Sequence, residues 1–325
     1  MLDGPALAPG IDLGAVAERM RASHVGGARV SFYWSDLQPE GAALVDFSAY
    51  DPVVLAAARA GIPVLPVILR TPAWAAEDPD DPASPPADPE AFRLLLTALA
   101  ERYGPDGTLW AANPAVAAVP IRRWQVWNEP GDDRFWAVEG PWAPSYVRLL
   151  KAAHLGARAA DPGARIVSAG LSGRGWRALD RIYDAGAGPW VDVAGLHPFG
   201  STVADVVRHA ESARKVLRSH GAGRTPLLLT EVTWSSGMGY AKRTEGFEET
   251  EEGQAGRLRR VLPALAGARK RLRIAGLYWY TWASRPLGSD ESFDYCGLLR
   301  ATSMGGFVEK PALAAWRRGV EKLTR

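Results

Sequence analysis

A chain of 325 residues, 47% hydrophobic and 23% charged, is long enough for one large core and has the composition of a globular protein. Its net charge of +2, with both signs interspersed, offers no block of charge for nucleic acid or an anionic membrane surface. A single cysteine, Cys296, excludes an internal disulfide and a cysteine-based zinc site, and no apolar run reaches the roughly 20 residues that span a bilayer.

The opening stretch MLDGPALAPGID lacks the basic and apolar regions of a secretory leader, so a cytoplasmic protein or a mature secreted form is expected. Within it, Ala6–Pro9 is the only segment on offer as a first strand. A helix is expected over about 13–24, a strand at Ala28–Tyr33 and a helix over 51–60. The strand Pro63–Leu69 leads into Thr71–Pro89, whose prolines at 72, 79, 82, 85, 86 and 89 read as a stiff loop. Phe92, Leu95, Leu96 and Leu99 then form a helical stripe. Next come a strand at Arg122–Trp127, a helix over 145–160, a strand at Arg165–Ala169, a helix over 176–186 and a strand at Val191–Leu196. Val203, Val206, Val207 and Ala210 mark another helix, and Pro226–Thr230 another strand. The loop 235–252 ends in Glu248, Glu249, Glu251 and Glu252, and glutamates at the start of a helix over 251–266 complement its dipole. That helix carries the stripe Leu258, Val261, Leu262 and Leu265, and the chain closes with a strand at Ile274–Tyr280 and a helix over 311–323. Seven strands alternating with eight helices predict an α/β fold: a (β/α)8 TIM barrel, one domain over 1–325, its first strand weak or missing.

In such a barrel, functional groups gather at the C-terminal ends of the strands and in the loops that follow. Glu129 follows the strand at 122–127 and Glu231 ends the strand at 226–230. Two glutamates on one rim suit glycosidic cleavage, in which a protonated carboxyl assists the leaving oxygen while an ionised one faces the anomeric carbon. Their environments must differ: Arg29 is the candidate for keeping Glu231 ionised, and Glu129, between Trp127 and Pro130, for a pKa raised by desolvation. Asn128 is expected to bind a sugar hydroxyl, and His197 to donate to substrate or orient a carboxylate. Nine of the 13 tryptophans fall near the same rim; Trp34, Trp74, Trp234, Trp279 and Trp282 are the candidates for stacking on sugar rings. His24, His154, His209 and His220 read as surface or packing residues with no partner spaced for a metal, and there is no Gly-rich phosphate loop. Neither a metal nor a cofactor is expected.

These residues carry a resemblance. Trp124-Gln125-Val126-Trp127-Asn128-Glu129-Pro130 resembles the fourth-strand motif of clan A glycoside hydrolases, and Leu227-Leu228-Leu229-Thr230-Glu231-Val232-Thr233-Trp234 their seventh-strand segment. Within the clan the chain is most similar to family 39 and its bacterial relatives. Ala28-Arg29-Val30-Ser31-Phe32-Tyr33-Trp34 is similar to their second strand, Leu196-His197-Pro198-Phe199 to the sixth and Tyr278-Trp279-Tyr280 to the eighth. Gly297-Leu298-Leu299 and Lys310-Pro311-Ala312-Leu313 fit the C-terminal pattern, so the resemblance covers roughly residues 13–318. It implies a retaining hydrolase of β-type glycosides that works through a covalent glycosyl-enzyme, with Glu129 as acid/base, Glu231 as nucleophile, a carbohydrate substrate and no cofactor. The family often has Tyr where this chain has Phe199; here the hydroxyl would have to come from Tyr240 or Tyr280. A transglycosidase would use the same residues, and a non-catalytic carbohydrate-binding barrel would keep the same rim; both stand beside the hydrolase at this point. The sugar, the linkage and the oligomeric state are not encoded in any motif.

Overall fold

The computed structural model describes residues 1–324 and contains the seven expected strands: β1 (Ala28–Tyr33), β2 (Val64–Leu69), β3 (Arg123–Val126), β4 (Arg165–Val167), β5 (Ala194–Leu196), β6 (Leu227–Val232) and β7 (Ile274–Trp279). β1 to β4 pair in parallel in that order, as do β5 to β7, and a parallel bridge from Val167 to Val193 joins the two sets. β3 and β4 end earlier than expected, where the chain leaves the ladder to carry rim residues, and β5 ends as expected but starts three residues late. Inside the ring, Leu65, Val167, Val193 and Leu228 form a packed layer of their own. A side-chain layer of this kind makes a barrel interior a core and not a pore.

The eight helices form as anticipated, and four of them have side-chain N-caps. Asp12 accepts from the Ala15 amide, Asp88 from Glu90 and Thr250 from Gly253, while Thr202 and Asp205 make a reciprocal capping box. The stripe Phe92, Leu95, Leu96 and Leu99 is fully buried. Glu251 and Glu252 occupy the first turn of the helix Glu251–Leu272, as expected for carboxylates at the positive end of a helix dipole. Among the described residues, no helix is long and apolar enough to cross a membrane.

The ring closes in an unexpected place. Ala6–Pro9 is not a strand: Gly4–Leu7 is a 3-10 turn, in keeping with its Gly-Pro start. The segment between β7 and β1 is instead Met1–Leu2. Its amino group donates to the Trp279 carbonyl, the Leu2 amide donates to the Arg29 carbonyl at 2.8 Å, and the Met1 carbonyl accepts from Trp282 at 2.9 Å. These residues fill only the upper part of the first-strand position. Below them lies a cavity of about 280 Å³ bordered by Gly27, Arg123, Ala275 and Tyr278. Residues 275–278 of β7 are accordingly half-buried, whereas both ends of that strand are buried. Beyond the barrel, β8 (Ala283–Ser284), β9 (Leu299–Ala301) and β10 (Phe307–Glu309) make a small mixed sheet absent from the sequence reading. Runs of two and three residues are too short to show a period.

Candidate active site

The rim groups are set by how β1, β3, β5 and β6 end. Past β3 the backbone turns sharply: Trp127 and Glu129 take left-handed φ values of 67° and 44°. The Trp127 amide still bonds the Ile68 carbonyl at 2.8 Å, and the Glu129 amide bonds Gly170 at 3.1 Å. Arg70, at the end of β2, is also left-handed at φ 63°. Three such non-glycine residues side by side on one rim mark backbone strain of the kind that clusters at functional sites.

Arg29 organises the floor. Its Nη1 donates to Glu231 Oε1 at 2.6 Å and to Met1 Sδ at 3.0 Å, its Nη2 to Asn128 Oδ1 at 2.9 Å, and its Nε to Gln125 Oε1 at 2.7 Å. Arg29 is 0% and Glu231 6% exposed, so this is a buried ion pair whose remaining donors are satisfied, as a desolvated guanidinium requires. Gln125 was missed by the sequence reading; the signal was there, a polar side chain mid-strand in an otherwise apolar run.

His197 joins the two glutamates. Its Nδ1 lies 2.6 Å from Glu129 Oε1 and its Nε2 3.5 Å from Glu231 Oε1. The ring is fully buried, and burial, with Arg29 nearby, pushes its pKa down to about 4 against the opposing pull of Glu231. A neutral imidazole carries a single N–H, so it donates to one carboxylate at a time. The ring fits because residue 170 is glycine: a Cβ there would lie 1.8 Å from His197 Nε2. Burial drives Glu129 the other way, from 4.5 up to about 7, aided by Asp132 and opposed by a hydrogen bond from Ser172. One carboxyl is thus poised to hold a proton near neutrality while the other is ion-paired.

Two cavities meet at Glu129. One, of about 310 Å³, contains Glu231 and Asn128 and is walled by Ser31, Tyr33, Arg70 and Tyr280. The other, of about 350 Å³, lies beyond Glu129 and is walled by Ser172, Ser201, Glu245, Phe199 and Phe247. Phe293 and Arg134 border both. Arg70, stacked 4.6 Å over the Tyr33 ring, and Arg134, paired with Asp132 at 2.6 Å, were not foreseen, since lone arginines in loops carry no local pattern.

Glu129, Glu231, Asn128, Arg29 and His197 are therefore brought together, but the tryptophans are not with them. Trp34 and Trp234 are 0% exposed, and Trp279 and Trp282 3%. Trp34 Nε1 donates to Gln38 and Trp279 Nε1 to the Cys296 carbonyl, and Trp279 and Trp282 border the seam cavity below Met1. Trp74, 37% exposed, packs edge-on against Trp34 and donates to the Gln38 carbonyl, outside both cavities. Large rings at strand ends here roof the barrel. The rings that face the cavities are Tyr33, Phe135, Phe199, Phe247, Tyr280 and Phe293. Of the two tyrosines considered as a substitute for the hydroxyl missing at Phe199, Tyr280 borders the Glu231 cavity and Tyr240 does not. His220 corrects another expectation: Asp180 and Asp184 lie 2.7 and 3.9 Å from its Nε2, on the outer surface and remote in the fold from the glutamates.

No protein-family model matches the sequence, and no curated protein matches it. Solved structures do. A family 39 glycoside hydrolase from Bacteroides cellulosilyticus WH2 superposes with a TM-score of 0.70 at 19% identity, over 95% of this chain and 60% of that one. A monomeric beta-xylosidase from Caulobacter crescentus CB15 gives 0.66 at 16% identity, over 97% and 64%. The chain has the (β/α)8 barrel fold of these structures. A GH5_18 structure from Streptomyces cattleya in complex with GlcNAc gives 0.65 at 19%, over 96% and 74%. The chain spans under two thirds of the length of the first two structures.

Proposed function

We propose that this chain is a retaining glycoside hydrolase acting on β-type glycosides through a covalent glycosyl-enzyme, as one catalytic domain. The observation that carries the reading is His197 spanning two carboxyls of opposite character: Glu129, raised to about 7, and Glu231, ion-paired with Arg29. In the first step an oxygen of Glu231 bonds the anomeric carbon as its bond to the leaving oxygen breaks, and the Glu129 proton passes to that oxygen. Arg29 engages Oε1, which leaves Oε2 as the attacking oxygen. In the second step Glu129, now ionised, takes a proton from water whose oxygen bonds the anomeric carbon, and Glu231 departs as carboxylate. His197 accommodates both states through Nδ1, which donates its N–H to Glu129 when that group is ionised and accepts from the carboxylic O–H when Glu129 holds the proton. The Glu231 cavity takes the sugar that becomes covalently bound, and the cavity beyond Glu129 takes the leaving group. A single continuous cluster running from Leu2 to Trp316 supports the one-domain reading.

The test is Glu231→Ala on a panel of aryl β-glycosides. Hydrolysis is lost, and azide, entering the space vacated by the carboxylate, restores turnover and yields an α-glycosyl azide. Full activity without azide would remove Glu231 from the mechanism. Sugar binding with no turnover of any glycoside by the unaltered protein would favour the non-catalytic barrel instead.

A further inference from the structure

The turn Ser292–Tyr295 has two sides. Phe293 borders both catalytic cavities, while Tyr295, two residues on, borders a separate cavity of about 360 Å³ that shares no lining residue with them. Its outer lip is unusually apolar for a surface: Met238 is 52% exposed, Tyr240 56% and Leu287 49%. The Tyr240 ring is not loose. It stacks on Tyr295 at 5.9 Å and 21°, and Tyr295 is pinned in turn by its hydroxyl bond to the Ser289 carbonyl at 2.7 Å. One face of a rigid aromatic ring is therefore held at the mouth of a cavity, ordered before any ligand arrives.

The floor is polar, and its charged side chains already have hydrogen-bond partners within the protein. Arg300 pairs with Glu251 at 2.9 Å, and Lys310 Nζ spends its protons on the carbonyls of Tyr295 and Gly297 at 2.9 and 2.7 Å and on Ser284 Oγ at 3.4 Å. Lys310 has no carboxylate partner, but its three protons are taken by neutral oxygens, so none of its N–H groups is left to hold an anion. The neutral polar groups of the lining include the hydroxyls of Ser236, Thr250 and Ser284, which can both donate and accept, beside a flat apolar face. A pyranose ring, apolar on its C–H face and ringed by hydroxyls that both donate and accept, matches that combination; a purely apolar or purely ionic ligand does not.

We propose that this cavity is a second carbohydrate site, holding a stretch of substrate chain away from the bond being cut, with Tyr240 as its stacking platform. The proposal rests on the glycoside hydrolase reading. Because the turn Ser292–Tyr295 separates it from the cleft, the site serves long saccharides and adds nothing to hydrolysis of a small glycoside.

Calorimetric titration of the full chain carrying Glu231→Gln, with xylohexaose, cellohexaose and mannohexaose in turn, tests it. At least one hexasaccharide is expected to bind with two equivalents. Tyr240→Ala should weaken one equivalent roughly three- to tenfold, the worth of one aromatic contact, and Tyr240→Trp should restore it. In the chain with Glu231 intact, Tyr240→Ala should leave the rate on an aryl glycoside unchanged. Two equivalents both indifferent to Tyr240→Ala would overturn the assignment of this cavity. A single equivalent whose affinity is indifferent to Tyr240→Ala, in a protein that hydrolyses aryl glycosides, would overturn the second site alone, whereas a single equivalent weakened by that substitution is one chain spanning both sites and would support it. No binding and no hydrolysis would overturn the parent reading along with it.

Discussion

Replacing Glu129 by glutamine keeps the shape of the side chain and removes its charge, and this should stabilise the protein in a pH-dependent way. In the folded state burial raises the Glu129 pKa from 4.5 to about 7. Between those values the folded protein holds a proton that the unfolded chain has released, so stability falls as pH rises from about 4.5 and levels off above about 7. At about 1.4 kcal/mol per unit, the full cost of ionising Glu129 in place is about 3 kcal/mol. Its carboxyl is 11% exposed, so solvent screening discounts this little. The neutral amide escapes that cost. Thermal unfolding of both proteins at pH 5 and pH 8.5 should show the advantage of Glu129→Gln growing by about 2–3 kcal/mol between the two. For a chain of 325 residues that is roughly 4 °C in Tm. The same substitution should abolish hydrolysis, so this residue would trade stability for catalysis. A Tm difference that does not change with pH would mean that Glu129 is not held protonated by burial, and the acid role would lose its physical basis.

Other consequences follow from the same contacts. The proton on Glu129 should give kcat/KM an alkaline limb near pH 7, read from a rate profile on an aryl glycoside. Arg29→Lys keeps a cation beside Glu231 but cannot also reach Asn128 and Gln125; activity should fall at least about tenfold with the fold retained by circular dichroism, whereas Arg29→Met should destabilise by about 3–5 kcal/mol through the unpaired Glu231. Gly170→Ala should displace the His197 ring, lowering kcat about 100-fold and costing about 1–3 kcal/mol of stability through overpacking, which kinetics and calorimetry measure separately. Trp279→Ala should cost about 3–5 kcal/mol in urea unfolding while leaving KM near its original value, since this ring roofs the barrel and does not line the cleft.

The eight helices were legible because each buries an apolar stripe with a clear period, the seven strands as short apolar runs buried on both faces, and the glutamates because strand ends are where a barrel exposes chemistry. What escaped was of two kinds. Closure by Met1–Leu2 and the sheet β8–β10 involve segments too short for any pattern, held by backbone bonds that only the folded chain brings together. The misplaced tryptophans show a limit of composition: position along the chain located them at the rim, but not which way they point. Trp234 and Trp279 turn inward and tilt against each other at 6.4 Å, while the less conspicuous Phe199, Phe247 and Phe293 pack at 5.4–5.9 Å to make the wall of the cleft. Arg70 and Arg134 reached the site from loops, where spacing says nothing about direction.

The central claim is that Glu231 becomes covalently bonded to the sugar during turnover. A 2-deoxy-2-fluoro glycoside with a good leaving group slows the second step more than it spares the first, so the intermediate accumulates. Mass spectrometry of the inactivated, digested protein should find the fluoro-sugar on the peptide that contains Glu231. Label on another residue, or steady turnover of the parent glycoside with no label and inversion of the anomeric product, would contradict the account.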